Sequence, residues 1–291
     1  MPELPEVETV ARDLVAARIA GRRVAETRVW WPRTLANSRP SSFDRALNGR
    51  QIVHIGRRGK YLVFSLADDL IMLAHLRMTG RLRLFEAWPN PPGHARLAWR
   101  LDDGRILAFS DARKFGRIWL LAADAPSPLD ALGPEPMDNT FTADTLAQAL
   151  RGRSLPIKPA LLDQRIVAGL GNIYADEALW LARLHPLRRA NSLSHDDCRL
   201  LRNAIRQVLR KALAGGGTSL GTGQGNFYGL QGQPGRNLPR LNVYRRTDQP
   251  CRRCHAPVRR MVLAQRSAHF CPCCQPEGKP GAVTPRSKPR R

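Results

Sequence analysis

The first ten residues, MPELPEVETV, combine two prolines with three carboxylates, Glu3, Glu6 and Glu8. Removal of Met1 ahead of the small residue Pro2 would expose a secondary α-amine. An α-amine titrates at about 7.7–8.0, against about 10.4 for lysine, so more of it is unprotonated and nucleophilic at neutral pH. An adjacent carboxylate such as Glu3 can transfer protons. The stretch is therefore either a solvated helix start or an active site at the chain terminus.

Four cysteines near the other end form two CxxC pairs, Cys251/Cys254 and Cys271/Cys274, separated by sixteen residues. This is the spacing of a four-thiolate zinc site. Zinc with four protein ligands has no open position, so the metal would be structural and would replace a hydrophobic core that about 30 residues cannot supply. Cys273 could displace a neighbour, although only Cys271 and Cys274 make the second knuckle regular. Three further residues are interpreted as non-ligands: His255, His269 and Cys198.

The segment between the knuckles, APVRRMVLAQRSAHF, alternates like a short hairpin and carries Arg259, Arg260 and Arg266. A rigid hairpin that presents arginines suits phosphate contacts. The alternative is that these arginines are ordinary solvated surface residues.

The stretch IVAGLGNIYADEALW places two glycines and Asn172 directly before an apolar-periodic helix. Asn172 is suited to be the N-cap, and the free N–H groups of a new helix can hold a phosphate. The same residues could equally serve as capping alone. Lys158, in LPIKPALL, is similarly open between a surface lysine and a phosphate ligand.

The chain has 291 residues, 43% hydrophobic content and a formal net charge of +23. Such a charge indicates a polyanionic partner, with nucleic acid favoured over a membrane surface. No apolar run reaches the ~18–20 residues of a spanning helix, and no signal peptide is visible. We therefore expect a cytoplasmic protein, in which paired cysteines bind metal and do not form disulfides.

Helical periodicity runs from Pro5 to about Ala20 and stops at Gly21, and short β-like runs follow it. ARLAWRL and RILAFS, joined by Asp102-Asp103-Gly104, predict a hairpin. The first ~120 residues are thus predicted to be one helix followed by an antiparallel sandwich or barrel-like sheet.

A proline-rich stretch then breaks the periodicity, and helical patterns follow it. Ser194 is a predicted N-cap, and Gly215–Gly217 end the last helix. The α+β chain is predicted to divide into a helix-plus-β-sandwich domain (1–125), a linker (126–141), a helical domain (142–217), a glycine-rich loop and connection (218–249), a zinc finger (250–275) and a disordered basic tail (276–291).

Six motifs in order, PELPEVETV, GRRGKYL, HLRMTGRL, DARKFG, VAGLGNIYADEALW and CRRC…CPCC, resemble the bacterial formamidopyrimidine-DNA glycosylase (Fpg/Nei) family over residues 1 to about 275. The resemblance implies an N-terminal helix and β-sandwich domain, a helix–two-turn–helix domain and a C-terminal zinc-finger hairpin with one structural Zn²⁺. It also implies a monomer that acts on double-stranded DNA containing oxidised bases or abasic sites.

The resemblance implies that Pro2 is the nucleophile that attacks C1′ of a sugar, and that Glu3 is the proton donor. Glu6 is implied as a supporting carboxylate. Lys60 is implied to contact phosphate near the lesion and to assist elimination, and Arg266 joins this catalytic set as a phosphate contact. Base excision is implied to be followed by β,δ-elimination.

The remaining implied contacts are to DNA. The target base must leave the stack before Pro2 can reach C1′, and Met78, Arg113 and Phe115 match residues that fill the resulting gap. Core packing is the alternative for Met78 and Phe115. His94 and Asn172 carry over as phosphate contacts, like Arg266, and Lys158 completes the predicted DNA contacts.

Leu4 and the Met78/Arg113/Phe115 set favour the branch that excises oxidised purines, namely 8-oxoguanine and formamidopyrimidines. The loop after Thr218-Ser219-Leu220 departs from the family pattern and reads GTGQGNFYGLQG, which puts recognition of 8-oxoguanine in doubt. The alternatives are an endonuclease VIII-like enzyme for oxidised pyrimidines and a catalytically altered, lesion-binding paralogue. A zinc-ribbon RNA-binding factor would explain the charge and cysteines but not the N-terminal motif.

Overall fold

The computed structural model describes residues 1–88, 93–221 and 226–277. The predicted basic tail from residue 278 onward, and residues 222–225 of the predicted glycine-rich loop, lie outside the described residues. The helices are α1 (Leu4–Ala16), α2 (Pro40–Leu47), α3 (Ala143–Arg151), α4 (Ile157–Leu162), α5 (Asn172–Leu181) and α6 (His195–Ala214). The strands are β1 (Val24–Val29), β2 (Ile52–Arg58), β3 (Tyr61–Leu66), β4 (Leu70–His75), β5 (Gly80–Phe85), β6 (Ala95–Leu101), β7 (Ile106–Asp111), β8 (Arg117–Ala122), β9 (Arg259–Leu263) and β10 (Arg266–Phe270).

The first eight strands form two four-stranded antiparallel sheets, ordered β1-β6-β7-β5 and β2-β3-β4-β8. Their inner side chains share one core with α1, which contributes Val7, Val10 and Leu14. The predicted hairpin is confirmed, because β6 and β7 pair directly across the Asp102–Gly104 turn. Because the two sheets face one shared core, the prediction of an antiparallel sandwich is also confirmed.

Two details of this part differ from the prediction. Helix α1 ends at Ala16, four residues before the predicted end, and the chain reaches Gly21 through a turn. Helix α2 was not predicted at all. Its apolar face consists only of Phe43 and Leu47, one turn apart, which is too short a pattern to stand out between β-like runs.

Helices α3 to α6 enclose a second core. Helix α6 follows the predicted N-cap Ser194, whose hydroxyl accepts from Asp197 N, and its last residue is Ala214, directly before the C-cap Gly215. Cys198 lies in this core, as predicted. Leu4 also packs here, although the rest of α1 packs on the sandwich. The chain terminus thus lies where the two cores meet.

A buried carboxylate, Glu135, joins the segment between β8 and α3 to the β2–β3 turn. It accepts bonds from Arg57 Nη1 (3.0 Å), Arg58 Nη1 (3.1 Å) and the backbone N of Gly59 (2.6 Å). The Arg58 guanidinium also donates to the Gly133 carbonyl at 2.6 Å. These bonds fix the turn that carries Lys60 against the helical part of the molecule.

Strands β9 and β10 form a separate two-stranded hairpin between the cysteine pairs, as predicted. Within the described parts of the chain, no helix has both the length and the apolar character needed to cross a bilayer.

Candidate active site

The Glu3 carboxylate lies at the N-terminus of helix α5, 170 residues away in sequence. Its Oε1 accepts from Ile173 N at 2.9 Å and its Oε2 from Tyr174 N at 3.4 Å. Leu4 N donates to the Gly169 carbonyl at 3.0 Å. A Cβ at Gly171 would lie 2.4 Å from Glu3 Cδ, so only glycine allows this approach. The glycines of the turn Gly169–Gly171 therefore leave the space in which the chain terminus packs.

This arrangement corrects two predictions about the start of α5. Its N-cap is Gly171, and Asn172 is its first helical residue. The N–H groups of Ile173 and Tyr174, which were candidates for holding a phosphate, already bind the Glu3 carboxylate. A helix N-terminus favours any anion, and here the anion is supplied by the chain itself.

Glu6 is fully enclosed behind Glu3. Its carboxylate accepts from Tyr174 Oη (2.5 Å), Thr218 N (2.7 Å) and Glu3 N (2.8 Å). Burial, and next the nearby Glu3, raise the pKa of Glu6 to about 7. Protonation of Glu6 relieves the repulsion that two buried carboxylates would otherwise exert on each other. Glu6 thus couples Glu3, α5 and the residue 218 loop in one network.

Lys60 follows Gly59 in the β2–β3 turn and is buried. Gly59 has a φ of +56°, and a Cβ there would lie 3.1 Å from Leu132 Cδ1. Burial lowers the pKa of Lys60, and the nearby Glu3 opposes that shift. The Lys60 side chain lines the cavity described below, which gives an incoming anion access to it.

The terminal amine opens into a cavity of about 430 Å³ between the sandwich, the helices and the hairpin. In this structure the amine belongs to Met1, and burial lowers its pKa while Glu3 and Glu6 oppose that shift. The predicted residues that line the cavity are Glu3, Lys60, Met78, Arg113, Asn172 and Arg266. Tertiary folding therefore brings together side chains from six separate segments.

Arg113 and Phe115 lie on the β7–β8 turn at the cavity mouth. Asp111, which is buried, accepts from Gly116 N (2.6 Å) and Arg113 N (3.2 Å) and so shapes this turn. The Arg113 guanidinium carbon lies 4.9 Å from the centre of the Phe115 ring. Phe115 is 48% exposed, so core packing does not explain it. Met78 is half-buried on the facing β4–β5 turn.

Two predicted DNA contacts are placed differently. His94 is exposed and lies outside the cavity lining; its carbonyl accepts from Asp111 N at 2.8 Å. Lys158 is fully buried and paired with Asp176 at 2.5 Å. A buried, paired ammonium cannot meet a DNA phosphate without breaking that pair. Lys158 is therefore neither a surface lysine nor a phosphate ligand in this structure, but one half of a buried ion pair.

Several residues that shape the site were not predicted from the sequence. Glu177 accepts from Val243 N (2.8 Å) and Tyr244 N (2.9 Å) and so brings Tyr244 to the cavity wall. Tyr174 joins Glu6 to Thr218, whose Oγ1 is 2.8 Å from the phenol oxygen. No local pattern marks these side chains, because the partner of each one is distant in sequence.

The four predicted zinc ligands are brought together. Their sulfur atoms lie within 4.8 Å of one another, with Cys251–Cys274 at 3.9 Å and Cys254–Cys271 at 3.4 Å. Four thiolates on one zinc at about 2.3 Å have sulfurs roughly 3.8 Å apart. The cluster therefore fits one structural zinc. Cys273 is exposed, and His269 is bonded to Asp176 at 2.9 Å.

Replacing one thiolate gives a first test. We expect Cys254→Ser to lower the zinc content and to weaken duplex DNA binding by roughly tenfold or more, because the tip folds only around the metal. Metal analysis and a binding titration measure both effects. Cys273→Ser is the matched control and should keep full zinc. Normal zinc and binding in Cys254→Ser, or zinc loss in Cys273→Ser, would refute the ligand assignment.

Three family descriptions match the chain: the Formamidopyrimidine-DNA glycosylase N-terminal domain at residues 1–118, the Formamidopyrimidine-DNA glycosylase H2TH domain at 132–223, and the zinc finger found in FPG and IleRS at 248–276. The Formamidopyrimidine-DNA glycosylase of a Roseiflexus species is 47% identical over 277 residues, which covers 94% of this chain and all of the relative.

Two solved structures have the same fold. A Lactococcus lactis FPG mutant in complex with Fapy-dG-containing DNA superposes with a TM-score of 0.88 at 38% identity, covering 95% of this chain and 100% of the other. The wild-type Lactococcus lactis protein in complex with DNA containing an oxidised pyrimidine gives 0.86 at 38% identity, with the same coverage.

Proposed function

The chain belongs to the formamidopyrimidine-DNA glycosylase family, and we propose on that basis that it excises oxidised purines from duplex DNA and then cleaves the abasic site as a lyase. The observation that carries this proposal is the terminal amine in a cavity of about 430 Å³ together with Glu3 and Lys60. A lesion-binding protein without catalysis would have no need of that constellation. The proposed substrates are 8-oxoguanine and formamidopyrimidine lesions.

Removal of Met1 makes the Pro2 nitrogen the nucleophile. A bond forms from this nitrogen to C1′ of the damaged nucleotide while the bond from C1′ to the base breaks. The base leaves with that electron pair and takes up the proton that the Pro2 nitrogen loses. Glu3 donates a proton to the sugar ring oxygen, and the ring opens to an iminium. This is Schiff-base catalysis by an activated amine.

Burial tunes the reacting groups for this chemistry. It lowers the pKa of the terminal amine, which in this structure is that of Met1, and so favours the unprotonated, nucleophilic form. It raises the pKa of Glu3, although Lys60 opposes the shift, so Glu3 can hold the proton that it donates. Both shifts have the direction that the proposed step needs.

Two eliminations complete the proposed reaction. Loss of the C2′ proton expels the 3′ phosphate, and a second elimination expels the 5′ phosphate. Glu3 accepts and returns protons in these steps, and Lys60 assists them at the adjacent phosphate. Water then hydrolyses the iminium and frees Pro2. Glu6 supports Glu3 through the bond from Glu3 N at 2.8 Å.

Duplex DNA is proposed to lie across the cavity mouth. Extrusion of the damaged nucleotide leaves a gap, which Met78, Arg113 and Phe115 are positioned to fill; Arg113 would face the orphaned cytosine and Phe115 would wedge between base pairs. Asn172 and Arg266 are proposed phosphate contacts beside the cavity, and His94 is a peripheral one. We expect one copy of the chain to bind one lesion.

Oxidised pyrimidines are the second candidate substrates. The Lactococcus lactis relative was solved with DNA containing an oxidised pyrimidine, so this fold accommodates that class of lesion. The loop sequence after Leu220 departs from the family pattern at the place that bears on recognition of 8-oxoguanine, which is a second argument for oxidised pyrimidines as substrates. The proposal for this chain is a preference for purines.

Borohydride trapping on matched duplexes tests the proposal. Borohydride reduces an iminium to a stable amine, so an enzyme that forms one becomes covalently attached to DNA. We expect an adduct and strand cleavage with 8-oxoguanine opposite cytosine, less with dihydrouracil, and none with undamaged DNA. Excision without an adduct would remove the lyase mechanism, and faster processing of dihydrouracil would reassign the substrate.

A further inference from the structure

A buried ion pair lies behind the cavity, between Lys158 on α4 and Asp176 on α5. The two side chains are 0% and 1% exposed, and Nζ lies 2.5 Å from Oδ1. The second carboxylate oxygen of Asp176 accepts from His269 N at 2.9 Å and lies 2.9 Å from His269 Nδ1. The Lys158 ammonium also donates to the Ser267 carbonyl. Both members of the pair therefore bind the same strand, β10.

Stability alone does not explain such a pair. Removing two charges from water costs several kcal/mol, and well-packed apolar residues often replace a buried ion pair without loss. What the pair adds is geometric, because it bonds to Ser267 and His269 and thereby sets the register of β10 on α5. A shift of the strand by one residue would break all these bonds.

Arg266, next to Ser267, is the first residue of β10 and lines the same cavity as Glu3 and Lys60. Among the residues that the structure describes, its guanidinium has no hydrogen-bond or ion-pair partner. The backbone position of β10 therefore sets which part of the cavity this side chain can reach. The charge of Arg266 also acts on Lys60. Burial is the main cause that lowers the pKa of Lys60, and the nearby Arg266 charge lowers it further.

We propose that the buried Lys158–Asp176 pair is a positioning device that holds β10, and with it the Arg266 guanidinium, at the catalytic cavity. Neither residue touches substrate in this assignment. The inference rests on the proposed function, because that proposal assigns Arg266 as a contact to a DNA phosphate. It assigns a role to Lys158 that differs from direct DNA contact, and it brings in Asp176 as its partner.

A double-mutant cycle between the pair and Arg266 tests this inference. Lys158→Met/Asp176→Asn removes both charges while keeping similar volumes. We expect kcat/KM on lesion DNA to fall by tenfold to a hundredfold, since misplacement by about 1 Å can cost that much. In an Arg266→Ala background the same change should cost less than about twofold, because the group being positioned is already gone.

Zinc content and thermal unfolding should stay at the wild-type level in the double variant. Arg153→Met/Asp163→Asn, which removes a more exposed ion pair of the helical part, is the matched control and should leave kcat/KM nearly unchanged. If the double variant fails to fold, Lys158→Met alone decides, because Asp176 then still holds His269. Losses that multiply in the Arg266→Ala background, or no loss in a zinc-loaded variant, would overturn the inference.

Failure of the proposed function has a different signature. A wild-type protein that excises no base from any lesion duplex would refute that function. The positioning role of the Lys158–Asp176 pair would then be tested by DNA binding. The same cycle is then measured as the Kd for duplex DNA. Additive effects on Kd would refute the positioning role independently.

Discussion

A variant that is forced to keep a residue ahead of Pro2 should form roughly a hundredfold less borohydride-trapped adduct on 8-oxoguanine duplexes than the wild type. An extra residue turns the secondary amine into a peptide nitrogen, whose lone pair is delocalised and cannot attack C1′. Insertion of a lysine between Met1 and Pro2, which prevents trimming, makes this variant. Gel separation of the adduct and mass measurement of the N-terminus provide the readout.

Pro2→Gly is the companion variant. Glycine leaves a primary amine after trimming, so we expect a reduced but measurable adduct, and an ordering of wild type, Pro2→Gly and extended chain. Equal adduct in all three would identify another nucleophile. Lys60 would then be the leading candidate, because burial lowers the pKa of its amine beside Glu3.

Glu3→Gln is expected to lower kcat for base excision by a factor of about 10²–10⁴, the usual contribution of a positioned proton donor. The amide oxygen can still accept from Ile173 N, so the chain terminus should stay docked on α5. Duplex DNA affinity should therefore change by less than about threefold. Single-turnover kinetics and a binding titration separate the two effects.

Glu8→Gln is the matched control for Glu3→Gln on the same helix. Glu8 is half-exposed and pairs with Arg12 at 2.8 Å and Arg57 at 3.1 Å, outside the cavity. The Arg12 pair is exposed and contributes little, and Arg57 keeps its bonds to Glu135 when Glu8 is changed, so excision should stay within about threefold of wild type. Equal losses in both variants would show that charge on α1, and not proton transfer by Glu3, sustains the reaction.

Local sequence patterns predicted the zinc tip correctly, and the catalytic role of the terminal segment stays a prediction. Two CxxC pairs need only their spacing and a hairpin between them to converge on one ion, and the structure brings the four sulfurs within 4.8 Å. The acidic, proline-containing terminus was identifiable because its residues adjoin in sequence. The Met78, Arg113 and Phe115 turns were located through resemblance to a family, since no local pattern distinguishes an exposed wedge from a core residue.

The start of α5 illustrates what such patterns cannot resolve. Gly169, Gly171 and Asn172 correctly indicate a sharp turn into a helix, and a helix start attracts an anion. Whether that anion is a phosphate or a carboxylate depends on what another part of the chain delivers. Here Glu3 arrives from 170 residues away.

The sequence by itself determined the helix-plus-sandwich and helical parts and the zinc ligands, because each of these follows from periodicity or spacing over a few residues. The candidate nucleophile Pro2 followed from the chemistry of a terminal amine and from resemblance to a family, and it stays a prediction. Tertiary structure alone decided that Lys158 is buried against Asp176, that Glu3 caps α5 and that Glu177 holds the loop carrying Tyr244. These features are pairings between polar groups far apart in the chain. Burial creates the need for such partners, and only the packed fold shows which residues meet that need.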